Sequence, residues 1–159
     1  MNRMQKTLVL IAAIALPAAA HSTFMPKESP CFTSGASTYR IARGAAAPDF
    51  RIRIDQDSPR PDLRMQMVDR AEIADFVLVD DFGSAEPGAC RSATPIRTVM
   101  LDDEVATPDV IVRLSTDATG ADYKLFVHSV RFSQLDAAAL LAAIWKTNQR
   151  REMASRMDR

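Results

Sequence analysis

The chain has few of the residues that mark cofactor-binding and metal-binding proteins. Its 159 residues include 5 glycines, 2 cysteines, 2 histidines and 1 tryptophan. The absence of a glycine-rich fingerprint argues against a loop that cradles phosphates or a dinucleotide. Two cysteines far apart and two histidines do not make a common zinc cluster. The 20 basic and 20 acidic side chains balance, which excludes a protein held to nucleic acid mainly by its overall field.

The longest apolar run lies near the amino terminus. Arg3 and Lys6 precede the apolar run 8–16, and a stretch of small residues ends at Ala20. This three-part pattern predicts a signal peptide over residues 1–20 with cleavage after Ala20. The run is shorter than the roughly 20 apolar residues that span a bilayer. We therefore expect a bacterial periplasmic or secreted protein with no stable membrane anchor after cleavage.

Both cysteines, Cys31 and Cys90, lie in the predicted mature chain. In an oxidising compartment an even number of cysteines predicts a structural disulfide. The spacing is not that of a redox-active Cys-x-x-Cys pair. Residues 21–48 show little periodicity and are predicted to form an extended arm, which a Cys31–Cys90 bond would attach to the rest of the chain.

Alternating apolar and polar residues predict most of the secondary structure. The predicted strands lie near residues 50–54, 63–67, 76–79, 98–101, 110–114 and 123–132. The run 76–79 is apolar on both faces and is predicted to be a central, covered strand. Ser133 and Asp136 form a capping-box variant at the start of a helix. Its apolar residues are predicted to lie across the sheet and to bury Trp145; they are Leu135, Ala138, Leu141, Ile144 and Trp145.

This order of elements predicts an α+β fold. We expect a two-layer, mixed or mainly antiparallel sheet of about five to six strands, backed by a C-terminal helix. A single domain is predicted over residues 49–147, followed by a polar, basic tail over 148–159 that frays.

Strands in both halves of the chain begin after similar dipeptides. Pro48-Asp49 and Ala74-Asp75 occur in the first half, and Pro108-Asp109 and Ala121-Asp122 occur in the second. The aspartates are 26 residues apart in the first pair and 13 in the second. Because these intervals differ, the pattern predicts no internal repeat.

The sequence contains no nucleophile elbow, Walker loop or His-Glu-x-x-His motif. His128 is the one histidine in the body of the fold, and we interpret it as a strand residue. The carboxylates at the strand ends are interpreted as solvated turn residues. No catalytic, cofactor-binding or metal-binding residue is therefore assigned, and the pattern does not favour an enzyme.

The preferred interpretation is a small exported binding or accessory domain with no catalytic activity. Its partner would be an envelope or periplasmic protein, held by an edge strand or by a loop at the end of the sheet. One alternative is a copper protein: cleavage after Ala20 would leave His21 at the terminus, and its amine and ring would join His128 as ligands. A less specific alternative is a small hydrolase that uses His128 and the strand-end aspartates.

Overall fold

The computed structural model describes residues 31–45, 47–79, 90, 95–117 and 119–157. The predicted signal peptide and the first part of the predicted arm, up to residue 30, lie outside the described residues. The strands are β1 (Cys31–Ser34), β2 (Ser37–Ile41), β3 (Phe50–Ile54), β4 (Leu63–Met67), β5 (Phe76–Val79), β6 (Ile96–Leu101), β7 (Val110–Ser115) and β8 (Tyr123–His128). A single 3₁₀ turn covers Ala71–Ile73, and the helix α1 covers Gln134–Met157.

Within the described residues, eight strands form one mixed sheet in the order β1-β2-β6-β3-β7-β4-β8-β5. The pair β1 and β2 is antiparallel, and every other neighbouring pair is parallel. The mixed sheet and its C-terminal helix confirm the α+β class. The expectations of five to six strands and of a mainly antiparallel sheet are wrong, because the predicted arm supplies two further strands and the short polar connections are crossovers between parallel strands.

The chain builds the sheet from two interleaved sets of strands. The strands β2, β3, β4 and β5 alternate with β6, β7 and β8, so each connection within a set passes over one strand of the other set. Connections of eight residues, such as 55–62, have an extended reach of about 26–29 Å. A five-residue strand is about 17 Å long, so such a loop returns to the start of the next strand without a helix.

An aspartate at the end of five of these connections fixes the register of the parallel strands. The Asp62 backbone N–H donates to Ile111 O at 2.8 Å, and the Ile111 N–H donates back to Asp62 Oδ2 at 2.7 Å. Each aspartate therefore acts as both donor and acceptor toward one residue of the neighbouring strand. The same reciprocal pair joins Asp49 to Thr98, Asp75 to Lys124, Asp109 to Arg51 and Asp122 to Arg64.

These aspartates reveal an internal repeat, so the prediction of no repeat is wrong. Asp49, Asp62 and Asp75 are spaced by 13 residues, as are Asp109 and Asp122. The interval of 26 residues contains Asp62, which divides it in two. In β6 the position of the aspartate is occupied by Ile96, which has no carboxylate. The N–H of Thr38, in the neighbouring strand β2, donates to Pro95 O instead. The reciprocal pairs thus join five of the six parallel strand pairs.

The crossing loops cover the outer face of the sheet, which is the face opposite α1. On this face the Arg53 guanidinium donates to Val105 O at 3.4 Å, in the loop after β6. The guanidinium of Arg113 donates to Ser58 O, in the loop after β3. Ser58 is buried. Parallel sheets are normally covered on both faces, and here loops over arginine stems replace a second layer of helices.

The sheet curls into a half-barrel with α1 on its inner face. Eight strands laid flat would place the two edge strands about 33 Å apart. The rings of Phe32 in β1 and Phe76 in β5 instead have centroids 5.5 Å apart. Both side chains pack against the core, so the inner face is concave. The predicted central position of β5 is wrong: it is an edge strand, and Val79 is 52% exposed.

The first half of α1 is buried inside the half-barrel. Its capping box is confirmed, because the Asp136 N–H donates to Ser133 Oγ at 3.1 Å and the Ser133 N–H donates to Asp136 Oδ2 at 3.0 Å. The seven consecutive residues 137–143 are all buried, so this part of the helix is enclosed on every side. Leu135 lies outside the enclosed part, is 45% exposed and does not join the predicted apolar stripe.

Two segments differ from their predicted conformation. Part of the predicted arm forms the β1–β2 hairpin, whose turn contains Gly35 at a φ of 57°, where a side chain would be strained. The predicted frayed tail is helical as far as Met157. Contacts made by Thr147 and Arg150 extend the helix beyond the enclosed part, as described below.

The predicted disulfide is confirmed. Cys31 and Cys90 are bonded, with their Cα atoms 5.5 Å apart. Cys31 begins the edge strand β1, and Cys90 lies in the connection that leaves the opposite edge strand β5. The bond therefore links the edge strand β1 covalently to the connection between β5 and β6.

We expect Asp62→Ala to lower the free energy of unfolding by about 1–2 kcal/mol, because it removes the acceptor for the Ile111 N–H and frees the loop end. Asp103→Ala is the matched control, since Asp103 is an exposed aspartate outside the repeat. Urea unfolding of both variants measures the difference. Equal stability of the two variants would contradict a role for the reciprocal pair.

We expect the double variant Cys31→Ser, Cys90→Ser to lose up to about 4 kcal/mol of stability, since the disulfide closes a long loop in the unfolded chain. Reducing the wild-type protein should give the same urea midpoint as the variant. An unchanged midpoint in both samples would contradict a stabilising role for the disulfide.

Candidate binding groove at the mouth of the half-barrel

The structure does not test the copper alternative, because it describes only one of the two proposed histidine ligands. His21 lies outside the described residues. His128 is the last residue of β8, is exposed, and lies opposite Val79 of the edge strand β5. In the part of the chain that the structure describes, no three residues among His, Cys, Asp and Glu come together to hold a metal ion. Copper binding by His21 and His128 stays a prediction.

The described carboxylates that follow the strands accept backbone hydrogen bonds within their own turns. Asp55 Oδ1 accepts the Asp57 N–H at 3.1 Å, and Asp102 Oδ1 accepts the Glu104 N–H at 2.9 Å. Asp55 also lies 3.7 Å from the Arg53 guanidinium. Each carboxylate caps its own loop, which is the expected role of a turn aspartate. Asp80 and Asp81 lie outside the described residues.

The second half of α1 leaves the half-barrel through its mouth, the opening at the amino-terminal ends of the parallel strands. One face of this part is anchored to the strand starts. Tyr39 Oη donates to Thr147 Oγ1 at 3.2 Å in the interior. Arg150 lies 5.1 Å from the centre of the Phe50 ring and 3.5 Å from the Asp109 carboxylate. These contacts hold the helix in one orientation, so its opposite face has a fixed position.

That opposite face of α1 forms a cleft with the first residue of β8. The cleft encloses about 410 Å³. Its lining residues are Tyr123, Leu141, Ile144, Trp145, Asn148, Gln149 and Glu152. Ligand sites in proteins have volumes of about 300–1,000 Å³, are mainly apolar or aromatic, and carry a few polar groups. The volume of the cleft falls in this range, but its lining is mixed: four apolar or aromatic side chains, which include two aromatic rings, lie beside two amides and one carboxylate.

The cleft continues along α1 beyond the mouth. A second, shallower depression of about 200 Å³ lies on the surface of α1 alone and is lined by Gln149, Glu152, Met153 and Arg156. It shares Gln149 and Glu152 with the cleft. Met153 is 52% exposed. We call the two together the mouth groove. It runs from Leu141 to Arg156, which is about 22 Å along the helix axis.

The charges of the mouth groove are of both signs. Glu152 supplies the carboxylate of the cleft, and Arg156 lies one turn further along the helix. The Lys146 ammonium lies 5.9 Å from the centre of the Trp145 ring, beside the cleft. A ligand of mixed apolar and charged character fits this lining better than a purely apolar ligand does.

Sequence reasoning identified Trp145 as a core residue and did not identify the groove. Trp145 is half-buried and packs on the core while also facing the cleft. The spacing of Trp145, Gln149 and Met153 places them on one helical face, which is a usable signal. The position of Tyr123 beside that face depends on the sheet order, which the sequence pattern did not show.

Within the described residues, no helix is both long and apolar enough to cross a membrane. Comparison with protein-family models, with curated proteins and with solved structures finds no match for this chain. The functional interpretation therefore depends on the groove itself.

Proposed function

We propose that this chain is an exported, non-catalytic binding domain that holds an envelope or periplasmic protein partner in the mouth groove. The observation that carries the proposal is the cleft of about 410 Å³ between Tyr123 and Trp145. Its location at the opening of a curled sheet and the two aromatic rings in its lining support the proposal.

The shape of the groove favours a segment of protein over a compact small molecule. The groove extends along α1 from the cleft to Arg156, and an extended ligand is needed to fill such a length. Met153 at its outer part has a flexible thioether side chain, which adapts well to the side chains of a partner. Tryptophan and tyrosine are enriched among the residues that dominate protein interfaces.

Two features support export. Residues 1–20 have the composition of a signal peptide. The bond between Cys31 and Cys90 is of the kind that persists outside the reducing cytosol.

Export is tested by expressing the full gene and measuring the intact mass of the recovered protein. We expect a chain that begins at His21 and is two hydrogen masses lighter than the reduced form, in agreement with cleavage after Ala20 and one disulfide. A chain that begins at Met1 with free thiols would contradict export.

The groove is tested by placing a photo-crosslinking residue at Gln149 in the exported protein. We expect a protein adduct of one defined mass from Gln149, and none from a control crosslinker at the exposed Arg60 in the loop after β3. The partner identified from the adduct should bind the purified domain and change the fluorescence of Trp145, the only tryptophan.

Trp145→Ala should weaken binding of that partner by about 30-fold, as expected for a central aromatic contact. Circular dichroism establishes that the variant is folded. Unchanged affinity in the folded variant, or equal adducts from Gln149 and Arg60, would contradict the assignment of the groove as the binding site.

A further inference from the structure

Two arginines lie side by side on the outer face of the sheet. Arg64 in β4 is directly opposite Arg113 in β7. Like charges placed directly opposite each other on neighbouring strands destabilise the sheet. Among the described residues neither guanidinium lies within 4.0 Å of a carboxylate. The repulsion between them is therefore not offset by an acidic partner in this part of the chain.

The two arginines line a separate cleft of about 190 Å³. The lining residues of this arginine cleft are Arg64, Met65, Arg113, Ser115, Asp117, Thr119 and Ala121. Arg113 donates from Nη2 to Ser58 O, and its Nε is buried without an acceptor. A buried donor without a partner is unusual in native proteins and calls for an explanation. The Nε atoms of Arg53 and Arg97 share this state, but neither residue lines the cleft.

The loop after β7 contributes a hydroxyl and one carboxylate. Ser115 Oγ accepts the Asp117 N–H at 2.9 Å, which leaves its own O–H available to donate. Asp117 Oδ1 accepts the N–H and the O–H of Thr119 at 3.2 and 3.1 Å. The carboxylate is thus used in closing the loop. With two guanidiniums and one carboxylate, the cleft keeps a net positive charge.

We infer that the arginine cleft binds a phosphate-type oxyanion. Guanidinium groups bind such anions through pairs of parallel N–H donors, which a tetrahedral oxyanion accepts. The ligand would offset the repulsion between Arg64 and Arg113 and would accept a hydrogen bond from Ser115. The size of the cleft suits one phosphoryl group with a few water molecules. This site is distinct from the mouth groove and does not depend on the function proposed for it.

Titration of the intact protein with inorganic phosphate at constant ionic strength, followed by amide NMR shifts, tests the inference. We expect the largest shifts at Arg64, Arg113 and Ser115. Arg64→Gln should weaken phosphate binding about tenfold, because it removes charge-assisted hydrogen bonds. Arg64 is exposed, so this variant is expected to fold.

Asp117→Asn should strengthen phosphate binding, because the amide oxygen still accepts the loop hydrogen bonds while the negative charge is lost. The control is Arg40→Gln, which removes an exposed outer-face arginine of β2, four strands from β4. It should leave the affinity unchanged. Glycerol phosphate titrated in parallel identifies the source of the group: tighter binding than phosphate assigns a phosphorylated ligand, and equal binding assigns free phosphate.

Three results would overturn the inference. The first is no saturable binding of phosphate or its ester by the wild-type protein. The second is an equal loss of affinity in Arg64→Gln and Arg40→Gln, which would show attraction to the basic face as a whole. The third is weaker binding by Asp117→Asn in a folded protein. None of these results bears on crosslinking at the mouth groove, so the two proposals fail separately.

Discussion

The fold depends on one recurring interaction, the reciprocal pair between an aspartate and the backbone of the neighbouring strand. In each pair the aspartate N–H donates to a carbonyl and its carboxylate accepts the N–H of the same residue, as in Asp62 with Ile111. Parallel strands usually need a long crossover with a helix. Here the loops are short and return over one intervening strand, so the end of each loop must be fixed where the next strand begins. A carboxylate at that point fixes both the position and the register.

The repeat also accounts for the arginines of the strands. A strand in a parallel sheet is normally apolar on both faces, whereas β3 alternates arginine with isoleucine and phenylalanine. The outward arginines have long apolar stems that cover the sheet and guanidiniums that bind the crossing loops, as Arg53 does with Val105. The alternation of arginine with apolar residues in these strands therefore reflects a face covered by loops. In an antiparallel sheet the same alternation usually reflects a face exposed to solvent. Arg113 also binds a crossing loop, at Ser58 O, whereas Arg64 beside it is exposed, and the two arginines line the same cleft.

Local features were predictable from the sequence, and the order of the strands was not. Alternation located most strands, Ser133 with Asp136 located the start of the helix, and the cysteine count predicted the disulfide; all three depend on neighbouring residues or on composition. The interleaved order depends on which distant strands pair. The composition of an eight-residue polar loop does not show whether it forms a hairpin or a crossover. Ala137–Ala143 are enclosed on all sides, so the helix shows no single buried face. The sequence predicted that Trp145 packs on the sheet. It did not predict the groove, because the groove also depends on the position of Tyr123, which follows from the strand order.

The interleaved order positions both candidate sites. Tyr123 faces α1 because β8 lies between β4 and β5, and Arg64 faces Arg113 because β7 lies between β3 and β4. The most direct test of this order is the set of backbone NOEs from Met65 in an isotope-labelled sample. The account predicts NOEs from the β4 backbone around Met65 to Leu114 on one side and to Tyr123 on the other, following the observed register. NOEs that pair β4 directly with β3 in an antiparallel hairpin would contradict it.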